Sequence, residues 1–311
     1  MNKKKLLITG STGLLGSNFL KLCKKQNKYQ LLHPNRKQLN LENKNQVSKY
    51  FKKYKPDLVV NLSAYVGGII ANINDPINFV YKNLLIQNNI LQSCFKFKID
   101  KLVFPGSTCI YPRNARQPIK ENYLMTGELE KSNEGYSLTK ILGLKLASYY
   151  NNYSKMNIVC PMLCNVYGTN DHYDLEKSHV VSSLIKKICD AKINNKKKIN
   201  MYGSGVAIRE FIHVSDAARG IMFFLENVNT SSHINLGTGS KISVKQLANK
   251  IKFITKFNGK LIWEEKSFKD GTPKKYSDIS KIKKLGFKAK ISLDQGLKKT
   301  IKEYERVLNK N

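Results

Sequence analysis

Three residues of this chain have the types and spacing needed to put a proton on a carbonyl oxygen. Tyr136 and Lys140, in the run EGYSLTKILG, stand four residues apart, which on a helix brings both side chains to one face. An ammonium beside a phenol favours the phenolate and is expected to lower the Tyr136 pKa, so that the hydroxyl exchanges a proton with a ketone or alcohol near neutral pH. A Tyr-x-x-x-Lys pair by itself recurs by chance. Ser107 raises its value: it follows a strand-like run in LVFPGSTCIYP, where its hydroxyl can bond the same oxygen.

A second constellation handles phosphate. In LLITGSTGLLGSNFL, Gly10, Gly13 and Gly16 fall between an apolar strand and an amphipathic helix. Glycines there let backbone amides approach a pyrophosphate, and the helix N-terminus favours its charge. After the second strand-like run an acidic residue would bind the adenosine ribose of NAD, but LLHPNRKQLNLEN offers Arg36 and Lys37 there instead. Those cations suit the extra phosphate of NADP, the cofactor expected on this reading.

These residues must be carried by alternating elements. Strands are expected at Lys5–Thr9, Gln30–His33, Leu58–Leu62, Leu102–Phe104 and Ile158–Met162, with helices near Leu14–Lys25, Asn45–Tyr54, Asn78–Phe97 and Tyr136–Tyr153. That alternation predicts a Rossmann-type, doubly wound parallel α/β sheet. Beyond Gly168 the rhythm changes. Helical stretches at Val180–Asn194, Asp216–Glu226 and Val244–Thr255, with short strands at His233–Leu236 and Lys260–Trp263, predict a smaller C-terminal α/β lobe. The division expected is residues 1–168 for cofactor and catalysis and 169–311 mainly for substrate, with some later segments returning to the first sheet.

With 311 residues and 41% hydrophobic content, the chain can bury a large core and a smaller lobe. The start, MNKKKLLITG, is too short for a spanning helix and lacks a cleavage pattern, and six scattered cysteines fit reduced thiols, so a cytoplasmic protein away from membranes is expected. Cys160 and Cys164 read as structural and no metal site is expected. The net charge of +32 comes from lysines spread through every segment. It reads as composition drift that attracts an anionic substrate, and no nucleic-acid partner is expected.

The motifs AYVGGIIAN, GSTCIYP, NEGYSLTK, NVYGTND, KSHVV, GSGVAIREFIHV and DGTPKK, in this order and spacing, resemble the GDP-L-fucose synthase family within the extended short-chain dehydrogenases/reductases. The resemblance runs from about Leu6 to near Val307. It implies NADPH-dependent reduction of carbon 4 of a GDP-linked 4-keto-6-deoxy sugar by Ser107, Tyr136 and Lys140, in nucleotide-sugar biosynthesis for surface polysaccharide. It also implies epimerisation at carbons 3 and 5, with Cys109 and His179 as acid and base. The cofactor would rest on Gly10, Ser11, Thr12, Gly13, Leu14, Leu15 and Gly16, on Arg36, Asn40 and Leu41, and on Ala64. Pro105, Gly106, Ser107, Tyr136, Lys140, Leu163, Asn165, Val166 and His179 would complete its site.

Substrate contacts carried over by the resemblance are Ser107, Thr108, Cys109, Tyr136, Asn165, Lys187, Tyr202, Arg209 and Asp270, Arg209 being suited to a diphosphate. The chain departs from the family at Thr12 and Lys187, where Arg is common, at Tyr65, where Lys is common, and at Tyr202, where Trp is common. A homodimer through the helices Asn78–Phe97 and Tyr136–Tyr153 is implied as well. Three alternatives stand beside this reading. One is reduction alone, on a heptose epimerised upstream. Another is a 4-epimerase with tightly held NAD, which the missing acid after the second strand opposes. The third is a non-catalytic nucleotide- or nucleic-acid-binding protein, which the presence of Ser107, Tyr136 and Lys140 opposes.

Overall fold

In the computed structural model of the chain, residues 3–174, 178–265 and 271–308 are described. Its first half alternates as the periodicities predict: β1 (Lys5–Thr9), α1 (Leu14–Gln26), β2 (Gln30–Leu32), α2 (Lys44–Tyr54), β3 (Leu58–Asn61), α3 (Ile69–Asn74) and α4 (Pro76–Lys96). Next come β4 (Lys101–Val103), β5 (Gly106–Ser107), α5 (Glu134–Ser154), β6 (Ile158–Val159) and β7 (Pro161–Leu163). The chain continues through β8 (Asn165–Tyr167), α6 (Val180–Ile193), β9 (Lys198–Asn200), β10 (Ile208–Arg209), β11 (Phe211–His213), α7 (Val214–Asn227) and β12 (Ile234–Leu236). It ends with β13 (Ile242–Ser243), α8 (Val244–Thr255), β14 (Lys260–Ile262), β15 (Lys274–Lys275), α9 (Ser280–Lys284) and α10 (Leu293–Leu308).

Two expected strands are interrupted. The run predicted at Leu102–Phe104 stops at Val103 and resumes at Gly106, and the run predicted at Ile158–Met162 breaks at Cys160. Each break adjoins a proline, Pro105 or Pro161, which has no amide to give a ladder. The short strands β8 to β11, β13 and β15 were not expected, because two or three residues are too few to display a period.

All pairings of the main sheet are parallel, in the order β2-β1-β3-β4-β6. Its line is extended beyond the breaks by β5, β7 and β12, also parallel. Alternation along each strand divides the core between the two faces. Leu7, Val59, Leu102 and Ile158 point to the face covered by α2, α4 and α5, where Phe51, Ile90 and Leu144 are buried. Leu6, Ile8, Val60, Val103 and Val159 point to the other, against Phe19 of α1 and Phe224 of α7. Each such side chain removed from water contributes about 1.5–3 kcal/mol. A third cluster joins α6, α8 and α10 through Ile185, Leu247, Ile251 and Leu297. No helix among the described residues is long and apolar enough to cross a membrane.

The chain leaves β1 for β2 on one side and returns for β3 on the other, so a crevice opens at the carboxyl end of β1. The later segments are fastened to that edge by Glu210, only 1% exposed. Its carboxylate accepts from the amides of Thr238 and Gly239, each at 2.6 Å, and of Ser277 at 2.7 Å. It thereby ties the start of β11, the turn after β12 and the chain just beyond β15. Glu210→Ala leaves three inward amides without an acceptor and should cost about 3–5 kcal/mol. A thermal melt should fall by several degrees, further than for Glu210→Gln, which keeps a carbonyl oxygen; an unchanged melt for the alanine variant would contradict this role.

Candidate active site

At the carboxyl edge of the sheet lies a cleft of about 980 Å³, at the upper end of the range for small-molecule sites. The glycine turn forms one wall. Gly10 has φ +68°, and a Cβ there would stand 2.6 Å from the Leu62 backbone, while a Cβ on Gly16 would overlap the Gly10 carbonyl. The two glycines let α1 and the end of β3 close on the turn. Gly13, the N-cap of α1, has no capping side chain, and the first turn carries no acid. Its face is open: a Cβ would meet nothing nearer than 3.6 Å. Bare amides, a positive helix end and open space suit the pyrophosphate of a dinucleotide. Ser11, Thr12, Leu14 and Leu15 line the same wall, as do Arg36, Asn40, Leu41 and Ala64.

Gly106, Ser107, Tyr136, Leu163, Asn165, Val166 and His179 also line the cleft, drawn there from β5, α5, β7, β8 and the N-cap of α6. Pro105 and Thr108 are buried and absent from the lining. Thr108 enters a single 3-10 turn after β5 and is only 4% exposed. Lys140 is buried behind the wall, its Nζ 5.7 Å from the ring centroids of both Tyr136 and Phe104.

The electrostatics depart from expectation at one point. Burial lowers the Lys140 pKa to about 8. The phenol of Tyr136 is raised, first by burial and then by the charge of Cys109, and the lowering expected from the neighbouring ammonium is not found. Desolvation disfavours both charged forms at once. Burial therefore biases Tyr136 towards its protonated form.

Cys109 goes the other way. Burial works to raise its thiol, yet Lys275, Ser107 and Asn133 together bring it below the ordinary value. Lys275 Nζ lies 3.7 Å from Sγ, and Asn133 Nδ2 donates to Sγ at 3.3 Å. The Cys109 amide donates to Ser107 Oγ at 3.2 Å. His179 is exposed on the cleft, and its side chain makes no capping bond to α6.

Lys187, Tyr202 and Arg209 line the part of the cleft built by the second half of the chain. Burial lowers the Lys187 pKa. Asp270 lies outside the described residues. Tyr65, one of the departures from the family, also lines the cleft, and its hydroxyl donates to Asp75 Oδ2 at 2.9 Å.

Among the lining residues that sequence reasoning missed are Glu42, Glu130, Asn133 and Lys275. Lys275 stands in the quoted DGTPKK run, but only the parallel pairing of β15 with β10, which sets Lys275 against Arg209, carries it to the cleft. Glu130, 6% exposed, is held by Ser132, Thr272 and Arg113. Lys275→Met should move the pH midpoint of Cys109 alkylation upward and slow its labelling at neutral pH. Mass spectrometry can read this at one site, because the other five cysteines are buried; an unmoved midpoint would separate the thiol from Lys275.

Residues 6–237 match the model of the NAD dependent epimerase/dehydratase family. GDP-L-fucose synthase 1 of Arabidopsis thaliana is 37% identical over 96% of this chain and 93% of its own. Among solved structures, a GDP-6-OMe-4-keto-L-xylo-heptose reductase from C. jejuni is similar at a TM-score of 0.94 and 31% identity, covering 100% of this chain and 99% of that one. A GDP-mannoheptose C4 reductase from Campylobacter jejuni, solved with NADP bound, is similar at a TM-score of 0.89 and 32% identity, covering 98% and 99%. With its glycine turn, parallel sheet and Ser107, Tyr136 and Lys140 gathered on one edge, the chain belongs to the NAD dependent epimerase/dehydratase family and, within it, to the GDP-L-fucose synthase family of extended short-chain dehydrogenases/reductases.

Proposed function

We propose that the chain is an NADPH-dependent reductase of the 4-keto group of a GDP-linked 6-deoxy sugar, and that it also inverts carbons 3 and 5. The observation that carries the reading is the placement of Tyr136 on the cleft wall, its phenol raised by burial and backed by the buried Lys140. Bound NADPH supplies the hydride. The turn Gly10 to Gly16 would hold its pyrophosphate and Arg36 its extra phosphate.

Tyr136 gives its proton to the oxygen of carbon 4 as that oxygen gains charge, and Ser107 donates a hydrogen bond to it. The ammonium of Lys140, behind the phenol, favours the phenolate once the proton has left. For epimerisation the same two hydroxyls stabilise the enolate. Cys109, its thiolate favoured by Lys275 and Asn133, takes the proton alpha to the ketone, and His179 returns one from the opposite face. Asn133 Oδ1, buried and without a partner among the described residues, is an acceptor for a sugar hydroxyl. Lys187 and Arg209 are the cations for the GDP diphosphate, with Tyr202 beside the sugar and Asp270 as an acceptor for hydroxyl or guanine donors.

Reduction alone is the second reading, and the two heptose reductases among the solved relatives favour it. Incubation with NADPH in deuterated water, using GDP-4-keto-6-deoxy hexoses and heptoses, separates the two by product NMR. Deuterium at carbons 3 and 5 supports inversion, whereas unlabelled product formed at the full rate removes it. In the same assay Tyr136→Phe should lose about 10²–10⁴ of the rate while still binding NADPH. Normal turnover by that variant would end the proposed mechanism.

The chain acts as a homodimer on this reading, in the cytoplasm, where its six thiols stay free. Ile77 and Tyr81 of α4 and Leu138, Leu142, Tyr149 and Tyr153 of α5 are exposed, an apolar surface on two adjacent helices that a second copy would cover. Sedimentation should give a dimer for the native chain and a monomer for Leu142→Arg; a native monomer would refute the assembly.

A further inference from the structure

The stretch after β2 brings opposite charges together on the cleft wall. Arg36 Nη2 lies 2.7 Å from Glu42 Oε1. Arg36 is 72% exposed and Glu42 only 23%, so the carboxylate is the better fixed partner. Its place is set by the backbone: the Glu42 amide donates to Asn40 Oδ1 at 3.1 Å, and the Asn40 amide to Gln46 Oε1 at 3.1 Å. Both charged groups line the cleft. The other Lys and Arg among its described lining residues, Lys187, Arg209 and Lys275, come from the second half of the chain. At the glycine turn, position 12 is Thr, which offers no charge.

Glu42 lies ten residues beyond Leu32, the last residue of β2, far from where an acid is sought in the sequence. Folding nevertheless sets it on the guanidinium assigned to the extra phosphate. A ribose phosphate carries nearly two negative charges and needs the guanidinium fork. Glu42 engages one nitrogen of that fork and repels the phosphate. A ribose without phosphate instead presents hydroxyl donors, which a carboxylate accepts.

We propose that Glu42 is a specificity-determining residue that competes with the ribose phosphate for Arg36, holding down the preference of this chain for NADPH over NADH. This rests on the assignment of Arg36 to the NADP phosphate. The test is calorimetric titration of the full chain, without sugar substrate, with NADPH and with NADH. Glu42→Gln should tighten NADPH about threefold to tenfold, with a gain that shrinks as salt rises above about 0.1 M, and should leave NADH unchanged or weaker. Arg36→Gln should weaken NADPH more than about tenfold and leave NADH nearly unchanged. If Arg36→Gln behaves so but Glu42→Gln fails to tighten NADPH, the competition is refuted and the cofactor assignment stands. If Arg36→Gln leaves NADPH binding intact, the assignment itself falls, and the proposal with it.

Discussion

The chemistry of this cleft depends on removing titrating groups from water at the carboxyl edge of a parallel sheet. Lys140 is buried against the rings of Phe104 and Tyr136, and its pKa falls to about 8 because an ammonium loses solvation there. The same desolvation raises the neighbouring phenol. Cys109 feels it too, but three donors converge on its sulfur and reverse the sign. One low-dielectric wall thus carries a phenol biased towards its protonated form and a thiol biased towards its anion, two groups whose environments push their titrations apart.

Such a wall holds its geometry only if the elements behind it are fixed. The alternating strand residues pack α4 and α5 on one face and α1 and α7 on the other, so Ser107 and Tyr136 are mounted on rigid pieces. The other part of the cleft is assembled from short strands, several of which pack into the cluster of α6, α8 and α10. Glu210 adds to this, since one buried carboxylate gathers amides from two separate segments onto a third. Arg209 and Lys275 stand opposite one another on β10 and β15 as a result of that assembly.

Two kinds of signal were legible in the residues. Where a period repeats over ten or more positions, as in α4 and α5, the sequence reading agrees with the structure to within two residues, because burial of one stripe enforces the pattern. Where a backbone must do something special, as at Gly10 and Gly16, the residue type announces it. The breaks at Pro105 and Pro161 follow the same logic, though hydrophobicity had masked them. Two-residue strands and isolated charges carry no such pattern.

The sequence by itself therefore determined the alternating sheet, the glycine turn between β1 and α1 and the positions of Ser107, Tyr136 and Lys140, all properties that arise within one or two adjacent elements. Only the tertiary structure decided that Lys275 reaches the sulfur of Cys109, that Glu42 meets Arg36 and that burial raises the phenol of Tyr136. Those outcomes depend on desolvation and on distances between segments far apart in the chain, and the electrostatic balance they set has no counterpart in local spacing.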